Sequence, residues 1–278
     1  MSYHLFHKRQ SFTFRSNSAF LLLLAGYDKP AFIGVNLMEL KQLACATLIM
    51  SSSSCLYAQP IWQDFSITGL YGEDYAVVDN QQTTITLEYA AKVPYADVFF
   101  FMDRMRGGDD HKSTYFELSP RFSLGEMTGH SFAYGPIKDV LISTTWESNN
   151  DDFSNFDNFL YGFAVDLNIP YFKYAALNFY RANNERTKDD YQMTFVYGLP
   201  FTVKSEEFLV DGFLDWSTAE GDHASEMNWT TQYKWNVGKH ISPKTRLYLG
   251  IEHSIWNNKF GLEGRDERNV SALIKYHF

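Results

Sequence analysis

The chain has 278 residues, a formal net charge of -9 and 17% aromatic residues. That aromatic content excludes a disordered chain, which is poor in rings, and the acidic balance excludes a nucleic acid polymer as partner, because phosphate backbones require a basic surface. No stretch reaches the ~18 consecutive apolar residues of a transmembrane helix, a limit that says nothing about strands.

Residues 1–58 differ from the rest. Within them "MELKQLACATLIMSSSSCLYAQP" opens on a short charged segment at Met38 to Lys41, continues as an apolar run and reaches a small residue, Ala58. This is the anatomy of a secretory signal peptide. The expectation is a true start at Met38, cleavage after Ala58 and a mature domain of residues 59–278. Cys55 is a poor lipobox cysteine, because serines precede it where an aliphatic residue is wanted. Cys45 and Cys55 both fall in the leader, so the mature chain has no disulfide framework and no cysteine metal site; no metal or other cofactor is expected. Removing the leader's five Lys/Arg and two Asp/Glu leaves 19 basic and 31 acidic residues, a net charge of -12.

From about residue 61 the sequence alternates in segments of about ten residues separated by polar turns. The alternation predicts twelve strands, at 61–71, 82–92, 95–104, 113–124, 137–148, 158–169, 171–182, 190–199, 206–218, 226–238, 244–257 and 267–278. Connections after odd strands are long and rich in Asp, Asn, Gly and Ser, as in "NNDDFSNFD" and "NKFGLEGRDE"; those after even strands are short, with "GEMTGHSFAYGP" the exception. An even strand count, long loops at one rim, short turns at the other and a signal peptide are together the signature of a bacterial outer-membrane β-barrel. Both termini are then expected on the periplasmic side.

Parity supports this polarity. Phe159, Tyr161, Phe163, Val165, Leu167 and Ile169 share one face of their strand, and Tyr191, Met193, Phe195, Tyr197 and Leu199 share one face of theirs. Tyr71, Trp146, Tyr161, Trp216, Trp229, Trp235 and Tyr276 lie on such apolar faces, mostly toward strand ends, where membrane-interface girdles place them. The chain ends on "NVSALIKYHF", with Phe278 in phase with Val270, Ala272, Ile274 and Tyr276. Pairing of the last strand with the first removes every edge, as a bilayer interior demands.

Three segments, "TLEYAAK" (86–92), "YFELSPRFSLGEMTG" (115–129) and "SFAYGPIKD" (131–139), are similar in order and spacing to segments of the Tsx and OmpK family of nucleoside-specific outer-membrane channels. The likeness runs along most of residues 61–278 and is dense across 61–147. It implies a monomeric twelve-strand barrel with a narrow pore for nucleosides, some members serving also as phage receptors. It also implies a substrate-stacking aromatic a few residues after the first strand's final Tyr; aligned on Tyr71, that position is Tyr75, where the family usually has Phe.

The opposite parity supplies a candidate lining. Thr84, Thr86 and Glu88 come from the second strand, Asp97, Phe99, Phe101 and Asp103 from the third, and Tyr115, Glu117, Ser119 and Arg121 from the fourth. Arg246, Tyr248, Glu252, Ser254 and Trp256, then Asn269, Ser271 and Lys275, come from the last two. Twelve strands leave room for side chains and a slender channel. Phe99, Phe101, Tyr75, Tyr248 and Trp256 are candidates to stack a base, at roughly 1–3 kcal/mol each; Glu88, Asp103, Asn269 and Arg121 are candidates to bond ribose hydroxyls and base edges. A purely structural role stays open beside this one, with Glu88, Glu117 and Arg121 as a single ion-pair network.

Two other functions also stay open: a plugged barrel whose acidic loops serve adhesion or phage attachment, and an outer-membrane hydrolase. The second has little support. His253 and Ser254 are adjacent and so point to opposite faces of a strand, and HExxH, CxxC and GxSxG motifs are absent.

Overall fold

The computed structural model describes residues 59–77, 80–108, 111–152 and 154–278. The expected start at Met38, the cleavage after Ala58 and both cysteines lie outside the described residues. The strands are β1 (Trp62–Glu73), β2 (Gln81–Val93), β3 (Ala96–Gly107), β4 (Lys112–Ser123), β5 (Ile137–Asp151), β6 (Asn155–Leu167), β7 (Tyr174–Asn183), β8 (Tyr191–Val203), β9 (Glu206–Ser217), β10 (Glu226–Asn236), β11 (Arg246–Asn257) and β12 (Glu267–His277). A five-residue helix, α1 (Leu124–Thr128), follows β4. No described helix is long and apolar enough to cross a membrane.

Each strand pairs antiparallel with its neighbours in sequence, and β1 pairs with β12, so the sheet is a closed barrel. At the closure Gly69 lies opposite Ile274 and Leu70 opposite Leu273. The chain then ends by tying down its last residue. The Phe278 N–H donates to the Phe65 carbonyl at 2.9 Å, and its ring lies 5.2 Å from that of Phe65 and 5.0 Å from that of Tyr276.

The predicted strands all form, but the long-loop and short-turn asymmetry is weaker than expected. β5 and β6 climb to Asp151 and start again at Asn155, so most of "NNDDFSNFD" is strand. β3 and β4 likewise take up part of "MRGGDDHK", leaving only 108–111 as connection. Above the apolar belt both faces of a strand are polar, so the ladder continues where the hydrophobic alternation has stopped. At the rim that carries the termini, 124–136 is the long connection; α1 occupies its start, with Ser123 as N-cap accepting from the Glu126 N–H at 3.0 Å and Gly129 closing it in the left-handed region.

Polarity is inverted relative to a soluble protein. Inward Ser143 and Ser271 are 0% exposed, whereas outward Phe163 is 53% exposed. All seven girdle aromatics named above face outward, and several satisfy their polar tips on the surface: Trp146 donates to Asp157 at 3.1 Å, Trp229 to the Tyr197 hydroxyl at 3.1 Å and Trp235 to Glu206 at 2.8 Å.

This polarity predicts a directional effect. Ile274 is 51% exposed on the outer face, opposite Gly69 and Leu249. Ile274→Arg should lower the unfolding free energy in lipid vesicles by about 2–4 kcal/mol, the cost of an arginine near the bilayer midplane; urea titration of the refolded barrel measures it.

Candidate substrate pathway through the barrel

Every lining residue assigned by parity points into the bore, but they form three levels rather than one site. Along β11, Tyr248 and Trp256 are eight residues apart, roughly 26 Å at strand rise.

The level nearest the termini is ionic. Arg121 forks onto Asp97 at 2.8 and 2.9 Å and reaches Asp166 on β6 at 3.1 Å. Across the bore Arg246 pairs with Asp64 at 2.7 Å, His277 meets Asp64 at 2.6 Å, and the Tyr248 ring packs edge-on against His277 at 5.5 Å. Phe99 opens onto this level, 39% exposed.

At mid-height the two walls differ. On the closure side β1 contributes only the small inward residues Ser66 and Thr68, and Lys275 on β12 reaches across them to Glu88 on β2. Ser66 donates to Glu88 at 2.9 Å. Next to it, Lys234 binds Asp211 at 2.7 Å and Gln232 at 3.1 Å, and Gln232 donates to Glu252 at 2.8 Å. Asp103 accepts from Thr86 at 2.5 Å.

The facing wall carries acids without cations. Glu117 lies opposite Glu147 in the β4–β5 register and also feels Asp215 on β9. Their bonds are to neutral groups: Tyr115 donates to Glu117 at 2.7 Å and Asn158 to Glu147 at 3.2 Å. Among the described residues none of the three has an ion pair. Beside them runs an aromatic ladder in which Phe99 and Phe101 are 6.0 Å apart and Phe101 and Tyr115 5.8 Å. Further round, Tyr180 crosses from β7 to bond Ser143 on β5 at 2.7 Å and fills that part of the bore with Leu160 and Ala182. Inward Gly162 lies between them on β6; a Cβ there would sit 1.9 Å from the Phe179 carbonyl.

The third level is the mouth at the far rim. Asp74, at φ 69°, turns the chain back after β1. Tyr75 therefore folds inward, its hydroxyl 3.0 Å from Ser271. Gly72 makes the room: a Cβ there would lie 2.2 Å from the Ser271 hydroxyl and 3.1 Å from that of Tyr75. Asn269 donates to the Glu73 carbonyl and accepts from Ser271 at 2.9 Å. Above them Lys259, 4% exposed, binds both oxygens of Glu267 at 2.7 and 2.8 Å, and its ammonium is 4.4 Å from the Trp256 ring centre, 5.2 Å from that of Phe260 and 5.6 Å from that of Tyr75. Burial pushes this ammonium below the usual lysine range, an effect that Glu267 offsets only in part. Glu267 also accepts from the Ala76 N–H at 2.9 Å, and Trp256 donates to Glu226.

The alternative of a single ion-pair network of Glu88, Glu117 and Arg121 does not form. Glu88 belongs to Lys275, Arg121 to Asp97 and Asp166, and Glu117 to the unpaired acidic wall. Parity on β5, β9 and β10 would have yielded Glu147, Asp211, Asp215 and Lys234 as well. Lys259 is in a connection, where no periodic signal exists.

The family described as the nucleoside-specific channel-forming protein Tsx matches residues 62–273. The chain belongs to this family. Among curated Tsx-family relatives, OmpK of Vibrio parahaemolyticus is 22% identical over 180 residues, covering 60% of this chain and 68% of that protein. The nucleoside-specific channel-forming protein Tsx of Escherichia coli O157:H7 is 24% identical over 222 residues, covering 71% and 74%. Among solved structures the KdgM porin aligns with TM-score 0.46 and 8% identity, over 77% of this chain and 99% of that one. By that family model and these relatives, the Tsx-family chain is an outer-membrane channel protein.

Two predictions concern the mouth. Lys259→Met leaves Glu267 as a buried carboxylate without its cation, a change that typically costs 3–5 kcal/mol. Segments 74–77 and 258–266 should then exchange amide hydrogen at least tenfold faster, while β5–β8 stay protected. The second concerns His223, in the connection after β9, whose ring nitrogens lie 2.8 Å from Asp222 and 3.2 Å from Asp190. Lys188 donates its backbone N–H to Asp222, and Arg181 pairs with the neighbouring Asp189. Burial pushes the His223 ring down, but the two carboxylates outweigh it and hold the ring above the ordinary histidine value. A raised value in the folded state stabilises fully below about pH 6.5, the unfolded value, and is lost as pH rises through the folded one. Protection factors in 184–190 and 218–225, which are exchange rates corrected for the intrinsic base-catalysed rise with pH, should therefore fall between pH 6 and 8.5, and His223→Gln should flatten that dependence.

Proposed function

We propose that the barrel carries out passive, selective diffusion of nucleosides across the outer membrane. One observation supports this most: rings and hydrogen-bonding groups recur together down the bore, first Tyr75 and Trp256 with Asn269 and Ser271, then Tyr115 and Phe101 with Glu117 and Asp103, then Phe99. A nucleoside is a flat base joined to a polyol. It stacks on the rings while its hydroxyls exchange partners with the polar groups, and a series of weak sites lets the solute leave as readily as it enters. The unpaired acids accept hydrogen bonds from hydroxyl and amino groups, and they favour an uncharged solute over a phosphorylated one of the same shape. The names of the Tsx relatives point the same way.

Liposome swelling with a nucleoside against a sugar of equal mass tests the proposal. The nucleoside should enter faster; equal entry would leave an unselective pore, and entry of neither would mean a plugged barrel. In planar bilayers, Tyr75→Ala should weaken nucleoside block of ion current about fivefold to a hundredfold, the loss of one stacking contact of about 1–3 kcal/mol, with unchanged folding. Unaltered block would remove Tyr75 from the pathway.

A further inference from the structure

The rim that carries the termini is basic on its outer side between β5 and β7. Lys138 follows the outward parity of Val140 and Ile142. Lys173, whose backbone N–H still bonds the Gly198 carbonyl at 2.7 Å, follows that of Ala175 and Leu177. Both lysines are exposed, and among the described residues neither has an ion pair. The two turns beside them are joined, because the Asn168 N–H donates to the Pro136 carbonyl at 2.8 Å. Each turn presents a tyrosine: Tyr134 is 84% exposed, and Tyr171, at φ 73°, is 89% exposed. β5 and β7 are two ladder spacings apart, about 10 Å, so two cations and two phenols share one stretch of rim.

The carboxylates of the adjoining elements are engaged elsewhere. Asp139 and Asp166 turn into the bore, where Ser123 donates to Asp139 and Arg121 pairs with Asp166 at 3.1 Å. Glu126 of α1 is held by Lys92 and by the Tyr95 N–H, each at 2.9 Å. Glu206, at the start of β9, accepts from Trp235 at 2.8 Å and meets His240 at 3.0 Å. Toward the middle of the barrel the same outer face is apolar, with Ile142 on β5, Phe163 and Val165 on β6, and Leu177 and Phe179 on β7. Apolar rows, then rings, then unpaired cations follow the order in which a phospholipid presents acyl chains, glycerol and phosphate. A chain of net charge -9 is repelled by an anionic leaflet unless the surface meeting it is locally basic.

We propose that this stretch of rim is a headgroup site for an anionic phospholipid of the adjoining leaflet, with Lys138 and Lys173 as ligands of its phosphate and the hydroxyls of Tyr134 and Tyr171 as donors beside them. The site is independent of solute passage through the bore. Lysine suits it because its stem lies along an apolar surface while its ammonium reaches the headgroups, and tyrosine places an apolar body and a polar tip at that depth. Termini on the periplasmic side put the site in the inner leaflet, which is built of glycerophospholipids.

Native mass spectrometry of the detergent-purified barrel with phosphatidylglycerol, and with phosphatidylethanolamine of the same acyl chains, tests this. The wild-type chain should retain phosphatidylglycerol the more strongly. Each basic group near an anionic lipid surface is worth about fivefold in affinity, so K138Q/K173Q should bind phosphatidylglycerol about 25-fold more weakly. K204Q/K244Q, which alters exposed lysines in other turns of the same rim, should bind as the wild type does. Equal retention of phosphatidylglycerol by K138Q/K173Q would overturn the proposal, and so would equal retention of the two lipids by the wild type. An equal loss in K204Q/K244Q would overturn it in favour of diffuse attraction to the whole rim. Displacement of the lipid by millimolar glycerol phosphate would overturn its assignment to a membrane lipid. Circular dichroism melts matching the wild type, expected for substitutions of exposed side chains, establish that both variants are folded.

Discussion

Everything in this molecule depends on the β1–β12 ladder. In hydrocarbon no water replaces a missing backbone partner, and each unsatisfied group costs several kcal/mol. A twelve-strand sheet with two open edges would expose two full rows of such groups; closure leaves none. The requirement fixes the other features in turn. An outside that meets lipid must carry the apolar rows, and the polar residues that a strand necessarily alternates with them then fill the interior. A hydrated, charge-bearing bore is therefore a consequence of satisfying the backbone, and channel chemistry is built on what that consequence makes available.

Side-chain pairing strengthens the closure that the backbone makes. Lys275 on β12 bonds Glu88 on β2, passing over β1 because Ser66 and Thr68 present so little bulk. Arg246, His277 and Asp64 join β11, β12 and β1 near the termini, and Tyr75 and Ser271 join the first connection to β12 at the mouth. The seam is bridged at three heights by groups whose partners are on the other side of it. The part of the bore around β5–β7 is organised differently, by Tyr180 and its hydroxyl partners, and it narrows the passage there. The barrel wall is thus uniform in its backbone and asymmetric in its contents.

The strands were legible in the sequence because lipid and water sort side chains with a period of two, so the inward direction of Glu88, Phe101, Glu117, Trp256 and Lys275 follows from parity alone. Their partners were not legible. Which cation meets which carboxylate depends on register and on reach across an intervening strand: Arg121 takes its register neighbour Asp97 and also Asp166 two strands away, and nothing local to residue 121 encodes the second contact. Strand ends were misjudged where the outward residues turn polar, as at Ser148, Asn150, Asn155 and Asp157, because the ladder there has left the hydrocarbon that produces the signal. Lys259 shows the same limit more strongly, since a connection has no period and its aromatic surroundings assemble from β11 and the segments that follow β1 and β11.

The carboxylates of Glu117 and Glu147 on β4 and β5 and of Asp215 on β9 have an electrical consequence. Where these carboxylates ionise without a fixed partner, electroneutrality is met by mobile ions, and the Debye length in physiological salt, about 8 Å, is comparable with the width of a slender bore. Dissolved sodium or potassium would then reside in the passage as part of its resting composition. An uncharged solute would move through a column of water already enriched in cations, so the carrier of current and the carried nutrient would share one route without being the same species.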